Sequence, residues 1–208
     1  KAKIEVIPHG VSIPLQVLKE KTVRDTINVI FVGSLTKTKG IFELIKAWNL
    51  VCESTVHKMQ LNLFGKYSDD VYNELNLLLD KNHKKSVIFH GHVDRENVYN
   101  GYINADFAVL PSYFETFGMV AIEAMSCNCP VLFTDKGSGK EIIIDGENGF
   151  LISPDRIEEM TDKISLLIND QSLRKYLACN AMKTVKEFYQ ISAVADRHIS
   201  LYKGLMSK

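Results

Sequence analysis

Apolar residues alternate between two patterns along this chain. Short continuous runs at 3–7, 27–32, 59–64, 87–89, 107–110, 131–134 and 149–152 are bounded by Gly, Pro or polar residues, which predicts strands. The runs at 27–32, 107–110 and 131–134 are apolar without alternation, the mark of strands covered on both faces. Helical spacing appears between them. Over 41–52, Ile41, Leu44, Ile45, Trp48, Val51 and Cys52 form one stripe, which puts Trp48 in the core. A helix over 69–82 is predicted to bury Val71, Leu75, Leu78 and Leu79, with Ser68 or Asp69 as its cap. Further helices are expected over 95–104, from Gly118 onward, and briefly over 142–144. Beyond Pro154 the pattern is helical throughout, with stripes at Ile157, Met160, Ile164, Leu167 and Ile168, at Leu173, Tyr176, Leu177, Val185 and Phe188, and at Val194, His198, Leu201, Tyr202 and Leu205.

Strands alternating with helices predict an α/β fold: a doubly wound, Rossmann-like parallel sheet of about six strands in a single domain over 1–208, with ligand loops at the carboxyl ends of the strands. The chain has 25 basic and 25 acidic residues and a pI near 7.2, so it lacks the basic field of a nucleic-acid binder. Four cysteines are too few for a disulfide scaffold at 208 residues, and a cytoplasmic location is expected. Cys127 and Cys129 are expected to be buried and unpaired, with Asn128 in a left-handed turn between them. No apolar run reaches the roughly 18 residues of a membrane span, so any membrane contact is expected to be peripheral. The chain begins at Lys1 and is expected to be a piece of something longer.

The stretch PSYFETFGMVAIEAMSCNCPV, residues 111–131, carries the chemistry. A helix starting at Gly118 leaves the N–H groups of Gly118, Met119 and Val120 unpaired, and with the macrodipole they form an anion site. Glu123 then lies roughly 7 Å along the axis, about the span from a diphosphate to its ribose. A carboxylate accepts hydrogen bonds from both hydroxyls of a diol. Glu115, in the preceding loop, faces whatever lies beyond the far phosphate. The pattern points to a nucleoside diphosphate with a polar tail.

Other motifs fail. The loop over 33–40 is not Gly-x-Gly-x-x-Gly, and the segment around Gly137-Ser-Gly-Lys-Glu141 has Thr134 and Glu141 where a P-loop needs Gly and Ser or Thr. His90 and His92 alone make no metal site.

Glu115, Phe117, Gly118 and Glu123, with Glu123-Ala124-Met125 and Cys129-Pro130-Val131, resemble the Glu-seven-Glu signature of retaining glycosyltransferases of family 4, which have the GT-B fold. Several flanking segments resemble the same family: Pro8-His9-Gly10-Val11, with His9 where Asn is usual; Gly33 to Gly40, with Lys39 and Gly40 matching and Ser34 replacing an Arg; Lys136 to Glu141; and Asp145-Gly-Glu-Asn-Gly149. Loss of that Arg removes a planar bidentate donor, for which Lys37 or a cation from a part of the protein outside this sequence would compensate; otherwise donor binding is expected to be weaker.

The resemblance implies the C-terminal, donor-binding half of a glycosyltransferase of polysaccharide biosynthesis, weak in donor binding and inactive without its N-terminal domain. Glu115 and Lys39 would be catalytic. Gly33, Ser34, Lys39, Glu115, Phe117, Gly118, Met119, Val120 and Glu123 would bind the donor, and His90, Gly91 and Val93 would border its base. The donor would be a UDP- or GDP-linked sugar rather than an ADP-linked one, with no cofactor and no metal. A saccharide or lipid-linked acceptor would be bound through the N-terminal domain, on which the last helix would also dock, and any membrane contact would be peripheral, at the inner face. A nucleotide-sugar epimerase of the same fold, or a degenerate interaction domain signalled by Ser34, are the alternatives.

Overall fold

A computed structural model describes residues 4–18 and 25–206. Six parallel strands, β1 (Thr26–Val32), β2 (Lys58–Phe64), β3 (Val87–Gly91), β4 (Phe107–Leu110), β5 (Val131–Thr134) and β6 (Phe150–Ile152), form one sheet in the order β3-β2-β1-β4-β5-β6. The order reverses between β1 and β4, which pair through Val29 with Phe107 and Ile30 with Ala108. In such sheets a crevice opens at the carboxyl ends on either side of that reversal.

Helices α1 (Ile41–Ser54), α2 (Asp69–Leu78) and α6 (Ile157–Asn169) cover one face. The opposite face packs α3 (Arg95–Asn104), α4 (Met119–Ser126) and α7 (Gln171–Thr184). A short α5 (Gly139–Ile142) follows β5, and a π-helical turn over Val185–Tyr189 leads into α8 (Ile191–Met206). The strands feed both cores by alternation: Val29, Phe31, Phe107, Val109 and Leu132 face α1 and α6, whereas Ile30, Ala108, Leu110, Val131 and Phe133 face α3 and α4. Trp48 is fully buried as its stripe predicts, and its indole N–H donates to Ser86 Oγ at 2.8 Å. Cys127 and Cys129 are buried and outside any disulfide, on either side of Asn128, whose φ of 55° is the expected left-handed turn.

Some boundaries differ from the sequence pattern. The strand expected at 3–7 does not form over its described residues. Ile4 and Val6 are exposed, and Val11 instead bridges Gln190, just before α8. Ser68 caps α2 as expected, but the helix ends at Leu78 rather than near 82, because Asn49 of α1 donates to Leu78 O and accepts from Asp80 N. The short helix after β5 spans Gly139–Ile142 rather than 142–144: the buried amide of Asn148 accepts from Ile144 N and donates to Ile142 O, taking the groups that would continue it. Tyr176, Phe188, Tyr202 and Leu205 of the late stripes are exposed. No helix among the described residues is long and apolar enough to cross a membrane.

Candidate functional site

The loops following β1 and β4 face each other across the strand-order reversal, and backbone contacts hold them together. Tyr113 N–H donates to Thr38 O at 2.9 Å. Gly40 adopts a left-handed φ of 68°, and a Cβ there would lie 2.0 Å from Pro111 O, so only glycine lets the two loops approach. The loop after β5 joins them, because a Cβ on Gly137 would meet Glu115 O at 1.9 Å. Beneath them the buried Thr134 hydroxyl donates to Ser112 O at 2.6 Å and accepts from Lys136 N at 3.1 Å.

Within this frame Lys39, Glu115 and Gly118 come together, with Phe117 between the last two in sequence and Glu123 farther along α4. Lys39 Nζ lies 3.1 Å from Glu115 Oε2, with the Glu115 side chain only 10% exposed. The other oxygen of Glu115 accepts from Thr116 N–H at 3.2 Å and Gly118 N–H at 3.3 Å. Gly118 is the cap residue before α4, with a φ of 82°, and its amide is taken by Glu115 rather than left open as the sequence predicts. Helix α4 starts one residue later, and the N–H groups of Met119 and Val120 have no partner among the described residues. These two remain as anion donors. The Phe117 ring meets His9 edge-on at 4.9 Å, which brings the opening Pro-His-Gly-Val turn to the site.

Glu123 projects from α4 toward α3. Burial pushes its carboxyl above the ordinary carboxylate value, while Arg95 and Tyr99 act in the opposite sense. Arg95 Nη2 reaches Glu123 Oε1 at 3.2 Å and the Tyr99 hydroxyl at 3.1 Å. Neither residue was among those the sequence singled out. The only available signal was their one-turn separation on α3, and no spacing rule states that α3 lies beside α4. Thr134 was likewise missed as a link between loops.

The residues expected at the base divide. Gly91 has a φ of 71° and its carbonyl accepts from Gly65 N–H at 2.8 Å at the end of β3, beside the loop that follows β2. His90 and Val93, however, line a cavity of about 350 Å³ between β1, β2 and α3. The His90 ring stacks on Phe64 at 4.1 Å and hydrogen-bonds Asn62 at 2.9 Å, and burial lowers its pKa. Gly33 donates to Phe64 O at 2.9 Å, and Ser34 is exposed. Lys37 does not take the place of the absent Arg: it lies over Phe42 and 3.9 Å from Glu74, on the outer side of the loop. Among the described residues no three His, Cys, Asp or Glu side chains converge as a metal site would need.

The chain and its fold have relatives among known proteins. An uncharacterised glycosyltransferase of Methanocaldococcus jannaschii is 34% identical over 179 residues, covering 86% of this chain and 45% of its own. Sucrose-phosphate synthase from Thermosynechococcus elongatus superposes with a TM-score of 0.82 at 26% identity, over 98% of this chain and 53% of its own. The C-terminal domain of a glycosyl transferase group 1 family protein from Francisella tularensis superposes with a TM-score of 0.71 at 29% identity, over 79% of this chain and 87% of that domain. The chain spans about half the length of the curated relatives it matches. Its sheet and flanking helices have the Rossmann-like architecture of GT-B glycosyltransferases. The profile described as "Glycosyl transferases group 1" matches residues 16–184, and the chain belongs to that family.

Proposed function

We propose that this chain is the C-terminal, donor-binding half of a retaining glycosyltransferase, which moves a sugar from a UDP- or GDP-linked donor to a saccharide or lipid-linked acceptor bound by the other half. The observation that supports the reading is the contact of Lys39 with Glu115 beside the start of α4, where the Met119 and Val120 amides have no partner among the described residues, with Glu123 farther along the same helix. The match to a domain solved as a C-terminal half supports the division of labour. Exposed Ile199, Tyr202, Leu205 and Met206 on α8 suit a surface that the other half covers.

In this reading the diphosphate lies at the start of α4, where the two amides and the ammonium of Lys39 stabilise the charge that builds on the leaving nucleotide. Glu123 accepts the ribose hydroxyls. Glu115, already fixed by two backbone N–H donors and Lys39, orients the donor sugar and faces the positive charge developing at its ring.

Calorimetric titration with UDP, GDP and ADP tests this. Saturable binding of UDP or GDP is expected, weakened about 10- to 100-fold by Glu123→Ala, the worth of hydrogen bonds to one charged group. Binding unaffected by that substitution overturns the assignment of the site. No binding by this chain, or by a longer chain carrying the other half, overturns the donor reading itself.

A further inference from the structure

A carboxylate that is to accept a ribose diol must be ionised and must hold one orientation, yet the Glu123 side chain is only 18% exposed. Burial alone opposes the charged form. Relief comes from α3. Arg95 and Tyr99 stand one turn apart on that helix, and the guanidinium lies 5.3 Å over the tyrosine ring while one of its nitrogens reaches both the Tyr99 hydroxyl and Glu123 Oε1. Arg95 thus bridges the Tyr99 hydroxyl and the Glu123 carboxylate through one nitrogen.

The backbone beneath is fixed as well: fully buried Tyr102, also on α3, donates its hydroxyl to Val120 O at 3.1 Å and so ties α3 to the first turn of α4. Arg95 is the charged group acting on Glu123, and the two tyrosines at this junction, Tyr99 and Tyr102, have hydroxyls that burial pushes above their ordinary value. An exposed ion pair is ordinarily worth little. Here the acceptor is mostly buried, so the pair, although Arg95 is 69% exposed, opposes part of the burial penalty on Glu123 and ties its carboxylate to α3.

We propose that Arg95 and Tyr99 are positioning residues for the ribose carboxylate, a clamp on α3 that fixes the orientation of Glu123 before nucleotide arrives. The proposal rests on the donor-site reading above and names the side chains that make that site selective for a ribonucleotide. Arg95 acts by charge and by its planar fork, and Tyr99 by lying under the guanidinium and accepting a hydrogen bond from it. Without Arg95, the largest opposition to desolvation is gone and Glu123 takes up a proton at higher pH.

The test is calorimetric titration of the chain with UDP and GDP, and with their 2′-deoxy analogues, from about pH 5 to 8. Wild type, Arg95→Gln, Arg95→Lys and Tyr99→Phe are compared, and titration of the nucleotide's own phosphate is common to all four and cancels. Arg95→Gln is expected to weaken ribonucleotide binding about threefold to tenfold at the alkaline end. It should also move the acid loss of affinity to higher pH and reduce the preference for ribose over deoxyribose. Arg95→Lys should keep the wild-type position of the acid limb, because charge is retained, while losing part of the ribose preference. Tyr99→Phe should shift both readouts in the direction of Arg95→Gln by a smaller amount. A merely structural role would lower affinity or stability without moving the acid limb. Arg95→Gln curves that overlay wild type overturn the clamp while leaving the nucleotide site standing. Absence of binding of either nucleotide by the wild-type chain and by a longer chain carrying the other half overturns the site reading and the clamp with it.

Discussion

At Glu123 function and stability pull apart. Its carboxyl is held above the ordinary carboxylate value of 4.5 chiefly by burial, so the folded chain binds a proton more readily there than the unfolded chain does. Stability is therefore reduced at neutral pH, where the buried group is charged, and that penalty is relieved as pH falls through the raised folded value toward 4.5. Glu123→Gln keeps the shape and removes the charge. Thermal melts should place Glu123→Gln above wild type near about pH 7, with the gap shrinking toward about pH 4.5 as wild-type Glu123 becomes protonated. A constant gap across that window would mean that the charge is not what costs stability. The same substitution should abolish the ribose contribution to nucleotide binding, which makes Glu123 a residue retained against the interest of the fold.

Between elements, loops meet through backbone rather than side chains, and the glycines at those contacts differ in kind. Gly40 and Gly91 share a left-handed φ, 68° and 71°, but an added Cβ meets Pro111 O at 2.0 Å at the first and nothing within 4 Å at the second. Gly91→Ala carries backbone strain alone, about 1–2 kcal/mol. Gly40→Ala carries that strain and also forces the β1 and β4 loops apart, so it is expected to exceed Gly91→Ala by at least about 1 kcal/mol, roughly 2–4 °C in Tm. Equal melting temperatures would show that the loops yield without cost. The sequence made the strands, the start of α4 and the two glutamates legible, because apolar runs, a Gly before a helix and a fixed spacing are local signals. It did not make legible that Asn49 ends α2, that Asn148 ends α5, or that Arg95 meets Glu123, because each of these depends on two segments brought together by the sheet. The opening segment misled as well: Ile4 and Val6 of its strand-like run stay exposed, and it is the later Val11 that pairs, with Gln190 rather than with the sheet edge.

Over the whole molecule, the two cores on opposite faces of the sheet share its strands, and neither can be assembled without the other's backbone. Cooperative unfolding is the expected result. Trp48, the single tryptophan, reports the core of α1 and α6 alone, whereas far-ultraviolet circular dichroism reports every helix. Urea transitions followed by the two signals should coincide within error, and a separated midpoint would mean that the face bearing α3 and α4 melts as its own unit. Such unity bears on how this crevice changes over generations. Its outline is drawn by Gly40 against Pro111, Gly137 against Glu115, Tyr113 against Thr38 and Thr134 against Ser112, contacts in which the backbone of one loop meets the next. Exposed side chains on or against the same loops, such as those at positions 9 and 34, bear none of that load. They are open to exchange one at a time, so the lining of such a cleft can drift while its walls keep their shape.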